Sequence, residues 1–179
     1  RRPEWFLENV DFYEKYDRNG PKLFVGEYAS QSVGTGSPDN RNTWQSALYE
    51  AAFITGLERN ADLVKMTCYA PLFAHEEAWQ WRPDMIWFDN LNSYGSANYY
   101  VQKAFSLNAG TDLLKAKITE NPDLDEKKKG LHVSAAQDKN SNEIILKVVN
   151  VTEKPQQVLI DLTGQIKIKG PSKVELLTS

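Results

Sequence analysis

PKLFVGEY, residues 21–28, is the stretch that decides the fold of this chain. Its apolar run, Leu23-Phe24-Val25, predicts a buried strand that ends at Gly26 and Glu27. A polar, glycine-containing loop follows over residues 30–40, and the apolar residues of 44–55 then recur at helical spacing. A second strand is predicted at residues 63–69. Strand, helix and strand in this order indicate parallel pairing through a crossover helix.

The segments on either side extend the same alternation. Residues 5–16 are amphipathic and are expected to form the helix of a preceding unit. The helix after the loop is expected to open at Asn42, which has capping-box spacing to Gln45, and to end near Asn60. A long aromatic loop over residues 73–94 and a helix at 98–107 should follow. Because two βα units can neither close a barrel nor bury both faces of a sheet, further units upstream are expected.

After residue 110 the period of the pattern changes from helical to two. Leu131, Val133 and Ala135 alternate with polar neighbours, residues 138–142 have turn chemistry, and residues 143–151 return as a strand. Further strands are predicted at 158–162 and 174–177. This pattern indicates an antiparallel sheet or half of a β-sandwich. We therefore divide the chain into an α/β part, 1–108, and a β-rich part, 109–179.

Composition excludes several classes of function. The chain has 179 residues, 41% of them hydrophobic, and a formal net charge of −3 without a basic stripe, so no nucleic-acid partner is expected. No apolar run approaches the roughly 18 residues of a membrane helix. One cysteine, Cys68, and two distant histidines give neither a disulfide framework nor a metal-ligand spacing. We expect no metal and no cofactor, and we expect Cys68 to be buried.

Glu27 is the sharpest candidate for chemistry. It follows an apolar strand at the carboxyl end, where parallel α/β folds place their active sites. An ionised carboxylate there can attack a sugar's anomeric carbon while a second carboxylic acid protonates the leaving group. A loop cap or a partner for a lysine is the plainer alternative, and position alone does not decide between the two.

The aromatic loop carries residue types that bind sugars. Flat aromatic rings stack on the C–H faces of sugars, and the polar side chains around Asp84 can hydrogen-bond hydroxyl groups. Taken singly, each tryptophan is better explained by packing; the cluster after a strand end favours binding. The aromatic members are Trp79, Trp81, Trp87, Phe88 and Tyr94.

Several longer strings together resemble one enzyme family. They are YDRNGPKLFVGEYA (16–29), NTWQSALYEAAFITGLERNADLVKMTCYAPLF (42–73), WQWRPDMIWFDN (79–90) and YGSANYYVQKAFSLNAGTD (94–112). In this order they closely resemble the C-terminal half of family 51 α-L-arabinofuranosidases, most of all the branch of plants and gut bacteria. The resemblance is dense over residues 1–115 and loose over the β-rich tail.

The resemblance implies a fold and a set of site residues. Residues 1–108 would supply the last βα units of a (β/α)8 TIM barrel, and residues 109–179 part of an antiparallel β-sandwich. The GEY string would place the nucleophile at Glu27. The acid/base glutamate of an Asn-Glu pair would lie upstream, outside this chain, since the Asn142-Glu143 pair falls in the predicted hairpin. Candidate substrate-binding residues are Asp84, Trp81, Trp79 and Tyr69.

Three functions are compatible with these observations. The first is a fragment of a retaining exo-α-L-arabinofuranosidase acting on arabinan, arabinoxylan or related glycans, inactive without the missing N-terminal part of the same protein. The second is a non-catalytic carbohydrate-binding module, which the strand–helix alternation argues against. The third is a related barrel glycosidase with another sugar specificity. The open barrel edge favours self-association, and a polymer substrate implies a secreted or periplasmic protein.

Overall fold

The computed structural model describes residues 1–119, 130–163 and 170–178. Within these ranges the strands form three small sheets, in the orders β1-β2, β3-β4-β5 and β6-β7-β8. The elements in chain order are α1 (Pro3–Glu8), a 3₁₀ helix (Phe12–Lys15), β1 (Leu23–Tyr28), α2 (Trp44–Arg59), β2 (Val64–Tyr69), β3 (Phe73–His75), β4 (Ile86–Phe88), β5 (Ser93–Gly95), α3 (Ala97–Leu107), β6 (Asp112–Leu114), β7 (Leu131–Asp138) and β8 (Glu143–Asn150).

The first sheet follows from the strand, helix and strand that the sequence predicts. β1 and β2 pair in parallel, and α2 connects them. Thr43 caps α2, because its hydroxyl accepts a hydrogen bond from the Ser46 amide at 3.0 Å, so the predicted start at Asn42 is one residue early. Asn60 ends the helix, as expected.

The burial predicted for β1 is wrong on one face of the sheet. Phe24 and Met66 are register partners in β1 and β2, and they are 59% and 61% exposed. Cys68, expected to be buried, is exposed on β2. The reason is that, within the described ranges, no further strand pairs with this sheet. A parallel sheet is normally covered on both faces.

The N-terminal segment forms two short helices rather than the single helix predicted over residues 5–16. Asn9 interrupts it, and its side-chain amide donates to the Trp5 carbonyl at 2.7 Å. Val10 then lies directly against α2. A Cβ added to Gly56 would lie 1.8 Å from the Val10 carbonyl oxygen, so this close approach requires glycine.

An aromatic core joins the N-terminal segment to the first sheet. Phe53 of α2 lies at its centre, with ring centroids 5.3 Å from Phe6, 5.8 Å from Trp5 and 6.2 Å from Tyr28. Phe6 and Phe53 are almost fully buried. Edge-to-face and tilted packing of this kind adds to the free energy gained from burial. The core therefore lies directly behind the end of β1.

Residues 73–94 are not the continuous loop that the sequence predicts. β3 runs parallel to β4, and β4 pairs with β5 in antiparallel register, with Trp87 opposite Tyr94. Each of these strands has only three residues. A strand this short shows no measurable period in the sequence, and the aromatic composition of the segment is equally typical of a loop.

In the β-rich part, the predicted hairpin is confirmed and two predicted strands are wrong. β7 and β8 pair from Leu131 with Asn150 to Asp138 with Glu143, and the predicted turn connects them. β6, which the sequence did not predict, adds to the other edge of β7. Residues 158–162 and 174–177 form no strand, and their leucines are largely exposed. An apolar run forms a strand only where a partner strand is available.

Helix α2 also contacts the β-rich part, so the two parts on either side of residue 108 pack together. Glu58 accepts a hydrogen bond from the Ser134 hydroxyl at 2.5 Å and pairs with Lys147. Arg59 donates to the Val133 carbonyl at 3.1 Å. The same helix therefore contacts Tyr28 of the first sheet through Phe53 and the last sheet through polar side chains.

Candidate active site

Glu27 lies in an irregular end of β1. The register with β2 shifts between Val25 and Tyr28, and Glu27 has a φ of 48°. A left-handed backbone is uncommon for a residue other than glycine and costs on the order of 1–3 kcal/mol, and such strain often occurs at functional sites. The side chain is exposed, and no donor among the described residues hydrogen-bonds its carboxylate. The carboxylate is thus free to meet a ligand.

Glu27 opens into a cleft of about 710 Å³. Its lining combines aromatic rings with a few polar groups, a mixture typical of small-molecule sites. Of the other residues singled out in the sequence, Trp81 lies in this cleft, and it is 48% exposed. The remaining lining residues are Arg1, Trp5, Phe6, Tyr13, Val25, Gly26, Tyr28, Ala29, Gln31, Thr35, Phe53, Ala70 and Pro71.

Two loops are fastened together beside the cleft by the amide of Asn40. This side chain is fully buried. Its oxygen accepts hydrogen bonds from the Ser32 amide at 2.9 Å and the Ser32 hydroxyl at 3.0 Å. Its nitrogen donates to the Arg82 carbonyl at 2.7 Å and to Gln31 at 2.5 Å. The loop after Glu27 therefore holds the segment that carries Trp81.

A backbone contact in the same loop supports Trp81. Gly36 has a φ of 83°, and a Cβ added there would lie 3.7 Å from the indole ring. Glycine adopts this left-handed conformation at no steric cost. The Arg82 side chain also donates to the Pro38 carbonyl at 3.3 Å. The indole thus lies beside the loop that follows Glu27.

Trp79 is placed differently from Trp81. It does not line the cleft; its ring stacks on the Arg82 guanidinium at 4.4 Å, and Trp87 packs on the same group at 4.9 Å. Such cation–π contacts stabilise the conformation of a loop. Trp79 therefore supports Arg82 in this structure, and its role toward a substrate stays a prediction.

Asp84 is buried, with 2% of its surface exposed. Burial raises the pKa of its carboxyl to about 6, and nearby Arg82 opposes this increase. One carboxylate oxygen, Oδ2, has no hydrogen-bond partner among the described residues. A buried oxygen without a partner costs about 1–3 kcal/mol, so the position is suited to a ligand hydroxyl or a water molecule. Asp84 is not part of the lining of the Glu27 cleft.

Tyr69 ends β2 opposite Tyr28, with ring centroids 6.0 Å apart. Burial raises the pKa of its phenol well above the usual value, and nearby Glu50 adds to the effect. Its hydroxyl oxygen accepts a hydrogen bond from the Asn42 amide at 3.2 Å. Tyr69 is outside the cleft lining, although Ala70, which follows it, is inside.

Glu50, a helix residue for which the sequence indicates a structural or solvated side chain, is a buried carboxylate. It is fully buried in α2, where its Oε1 accepts from the Ser30 amide at 2.6 Å and its Oε2 from the Asn98 side chain at 2.7 Å. Burial raises the pKa of the Glu50 carboxyl to about 7, while these two hydrogen bonds favour the charged form. Its position between Ala47 and Ala51 on the apolar face of α2 was the available signal.

A second, smaller cleft of about 370 Å³ is lined in part by Arg82 and shares no lining residue with the Glu27 cleft. Its lining combines two arginines, from neighbouring loops, with aromatic and amide side chains. Its lining residues are Asn40, Arg41, Asn42, Glu76, Arg82, Trp87, Tyr94 and Ser96. The aromatic pattern predicts Trp87 and Tyr94 in a sugar-binding loop, whereas no pattern in the sequence indicates Arg41 or Asn40.

In residues 1–119, 130–163 and 170–178, no group of three or more His, Cys, Asp or Glu side chains is arranged to hold a metal ion. Across the same ranges, none of the helices has the length and apolarity needed to cross a bilayer.

Comparison with known proteins identifies the family. The α-L-arabinofuranosidase C-terminal domain family matches residues 26–179, a span that includes Glu27. An extracellular exo-α-L-arabinofuranosidase of Streptomyces chartreusis is 54% identical over 122 residues, which are 68% of this chain and 14% of that protein. α-L-Arabinofuranosidase 2 of Arabidopsis thaliana is 38% identical over 176 residues, 97% of this chain and 24% of that protein.

The fold agrees with a solved structure of the same kind. The arabinose-bound α-L-arabinofuranosidase MgGH51 superposes with a TM-score of 0.77 at 34% identity, covering 87% of this chain and 25% of that one. The chain thus spans at most about a quarter of the length of these relatives. It belongs to the α-L-arabinofuranosidase C-terminal domain family, within the arabinofuranosidases of glycoside hydrolase family 51.

Proposed function

We propose that this chain supplies the nucleophile and part of the sugar-binding surface of a retaining exo-α-L-arabinofuranosidase. The observation that carries the proposal is the placement of Glu27: an exposed carboxylate to which no described residue donates a hydrogen bond, on a left-handed residue, in one cleft with Trp81. The relatives named above are arabinofuranosidases, which supports the choice of sugar.

The chemistry takes two displacements at the anomeric carbon. The Glu27 carboxylate forms a bond to this carbon as the bond to the leaving oxygen breaks, and a second carboxylic acid gives its proton to that oxygen. The same second group then takes a proton from water, whose oxygen attacks the anomeric carbon and releases Glu27. We place this acid/base residue in the part of the protein outside this chain.

Four residues are proposed to bind the arabinose unit. Trp81 would stack on the sugar, since it shares the cleft with Glu27. Asp84 would accept a hydrogen bond from a sugar hydroxyl at Oδ2, which has no partner among the described residues. Trp79 and Tyr69 would act at the edges of the pocket, Trp79 through the loop that it stabilises and Tyr69 through the end of β2.

The architecture proposed is that of a chain which completes a larger barrel. Residues 1–108 would form the last βα units of a (β/α)8 barrel, and residues 109–179 part of a β-sandwich. The parallel β1-α2-β2 unit and the exposed apolar pair Phe24 and Met66 support this division. The partner would be the N-terminal part of the same protein, which would cover that face; an uncovered edge would favour self-association.

The natural substrate is proposed to be an arabinose-containing oligo- or polysaccharide such as arabinan or arabinoxylan. One relative is named an extracellular exo-enzyme, which supports release of terminal arabinofuranose by a secreted protein. A binding module without chemistry is less well supported, because β1, α2 and β2 form a parallel strand–helix–strand unit, whereas such modules are mostly all-β.

The test uses the complete protein that contains this chain. Glu27→Gln should lower turnover of an aryl α-L-arabinofuranoside by several orders of magnitude without unfolding the protein, since the amide cannot form the glycosyl-enzyme. In Glu27→Gly, added azide should restore cleavage and yield the β-configured azide, because it attacks from the vacated face.

Glu143→Gln is the matched control. Glu143 belongs to the only Asn-Glu pair of the chain and begins β8 at the hairpin turn, so its loss should leave turnover unchanged. Near-normal turnover in Glu27→Gln would remove the nucleophile assignment. A large loss in Glu143→Gln would show that the hairpin glutamate has a catalytic role.

A further inference from the structure

The buried carboxylate of Glu50 has no role in the chemistry proposed above. Within the described ranges, no lysine or arginine side chain forms an ion pair with it, and its two oxygens instead accept from the Ser30 amide and the Asn98 side chain. Burying a carboxylate away from water is costly unless strong hydrogen bonds compensate. A carboxylate buried in this way is expected to form strong hydrogen bonds with its donors.

One of those donors is the backbone immediately after Glu27. Ser30 is three residues further along the chain, and residues 28–30 are all buried. Glu27 itself has an unfavourable φ, which persists only where the surrounding structure holds it. The Ser30 amide bonded to Glu50 at 2.6 Å and the Tyr28 carbonyl bonded to the Ala70 amide at 3.3 Å provide this hold.

The other donor begins a chain of hydrogen bonds. The Asn98 amide nitrogen donates to Glu50, the direction that suits the ionised carboxylate, which only accepts. Its oxygen then accepts from Asn42 at 3.1 Å, and the same Asn42 nitrogen donates to the Tyr69 hydroxyl oxygen at 3.2 Å. One carboxylate thus connects the ends of β1 and β2.

We infer that Glu50 is a positioning residue for Glu27: its buried carboxylate anchors the backbone behind the nucleophile and, through Asn98 and Asn42, fixes the end of β2 relative to it. This inference rests on the proposed function of Glu27. Glu50 does not touch the substrate; it acts through the geometry of residues 27–30.

The test compares three variants of the complete protein. Glu50→Leu keeps the volume but offers no acceptor to Ser30, so kcat for an aryl α-L-arabinofuranoside should fall by about 10- to 100-fold, the range expected for a misplaced reacting group. KM should change far less, because contacts to the sugar remain. Glu58→Gln changes another hydrogen-bonded carboxylate of the same helix and should leave kcat unchanged.

Glu50→Gln is the conservative rescue. Its amide oxygen can accept from Ser30, and its nitrogen can donate to Asn98 once the amides of Asn98 and Asn42 reverse and the Tyr69 hydroxyl becomes a donor. Most of the kcat lost in Glu50→Leu should therefore return. Wild-type kcat in Glu50→Leu, or Glu50→Gln no better than Glu50→Leu, would overturn the inference.

Amide hydrogen exchange keeps this test separate from the proposed function. In Glu50→Leu, exchange over residues 28–31 should accelerate by more than any change in global stability accounts for, while Glu58→Gln should match the wild type. If the wild-type protein cleaves no arabinofuranoside, the proposed function fails, and exchange alone then decides whether Glu50 anchors this backbone. Unchanged exchange over residues 28–31, or a loss of kcat that only follows the unfolded fraction, would refute the inference.

Discussion

Replacement of Asn40 by alanine should detach the loop after Glu27 from the segment that carries Trp81. The buried amide bonds two backbone groups that face each other across the loops, the Ser32 amide at 2.9 Å and the Arg82 carbonyl at 2.7 Å, together with the side chain of Gln31 at 2.5 Å. At about 1–1.5 kcal/mol for each of the two backbone contacts, the docked arrangement should lose about 2–3 kcal/mol.

The expected kinetic effect follows from this free energy. If the sugar binds only when Trp81 is docked, a loss of about 2–3 kcal/mol corresponds to a decrease in kcat/KM of up to about 30- to 150-fold. The assay is steady-state hydrolysis of an aryl α-L-arabinofuranoside by the complete protein. Asn40→Asp keeps the acceptor for Ser32 but places a buried carboxylate oxygen against the Arg82 carbonyl and the Gln31 side-chain oxygen, so its loss should be at least as large as that of Asn40→Ala.

A double-mutant cycle decides whether Asn40 acts through Trp81. In a Trp81→Ala background, Asn40→Ala should lower kcat/KM only slightly further, because the side chain that it positions is already absent. Fully additive losses, or a wild-type kcat/KM in Asn40→Ala, would refute the reasoning.

Three other predictions concern the rest of the site and the chain as a whole. Asp84→Ala should lower kcat/KM by the equivalent of about 1.5–3 kcal/mol through one lost charged hydrogen bond, and unchanged kinetics would remove Asp84 from the pocket. The raised pKa of Glu50, about 7 against 4.5, means that the folded state binds this proton more tightly, so urea stability should increase by at most about 3 kcal/mol as the pH falls from 7 to 4.5. The phenols of Tyr28 and Tyr69 near Glu50 have raised pKa values and stay protonated over this range, so they do not contribute to this increase. Glu50→Gln should therefore remove the increase in stability, and an unchanged slope of stability against pH would contradict the prediction. The chain alone should not hydrolyse arabinofuranosides and should become active only when mixed with the separately expressed upstream part; hydrolysis by the chain alone, abolished in Glu27→Gln, would show that the acid is present within it.

Local patterns predicted those features that depend on neighbours in the sequence. The order of β1, α2 and β2 follows from an apolar run, a helical face and a second run, and the hairpin of β7 and β8 follows from alternation around a turn. The exposure of Phe24 and the absence of a strand at 158–162 depend on which strands are available to pair, and no local pattern contains that information.

The residues of the candidate site likewise include some that local patterns predict and some that they do not. Glu27 could be found because it combines a strand end with a carboxylate, and Trp81 because aromatic residues cluster in its loop. Asn40 and Glu50 were missed, since a polar residue in a loop or a helix is usually solvated. Only the three-dimensional contacts show that each is fully buried and connects segments distant in sequence.

The contact between Gly56 and the Val10 carbonyl has a genetic consequence. Every codon reached from a glycine codon by one amino-acid-changing base substitution encodes a residue with a Cβ, and any Cβ here would lie within 1.8 Å of a carbonyl oxygen. In an exposed helix, a change from glycine to alanine would stabilise by about 1 kcal/mol. At position 56 it must instead displace the segment whose Trp5 and Tyr13 wall the Glu27 cleft. Missense variation at this codon should therefore be rare among functional alleles, although the residue lies outside the cleft.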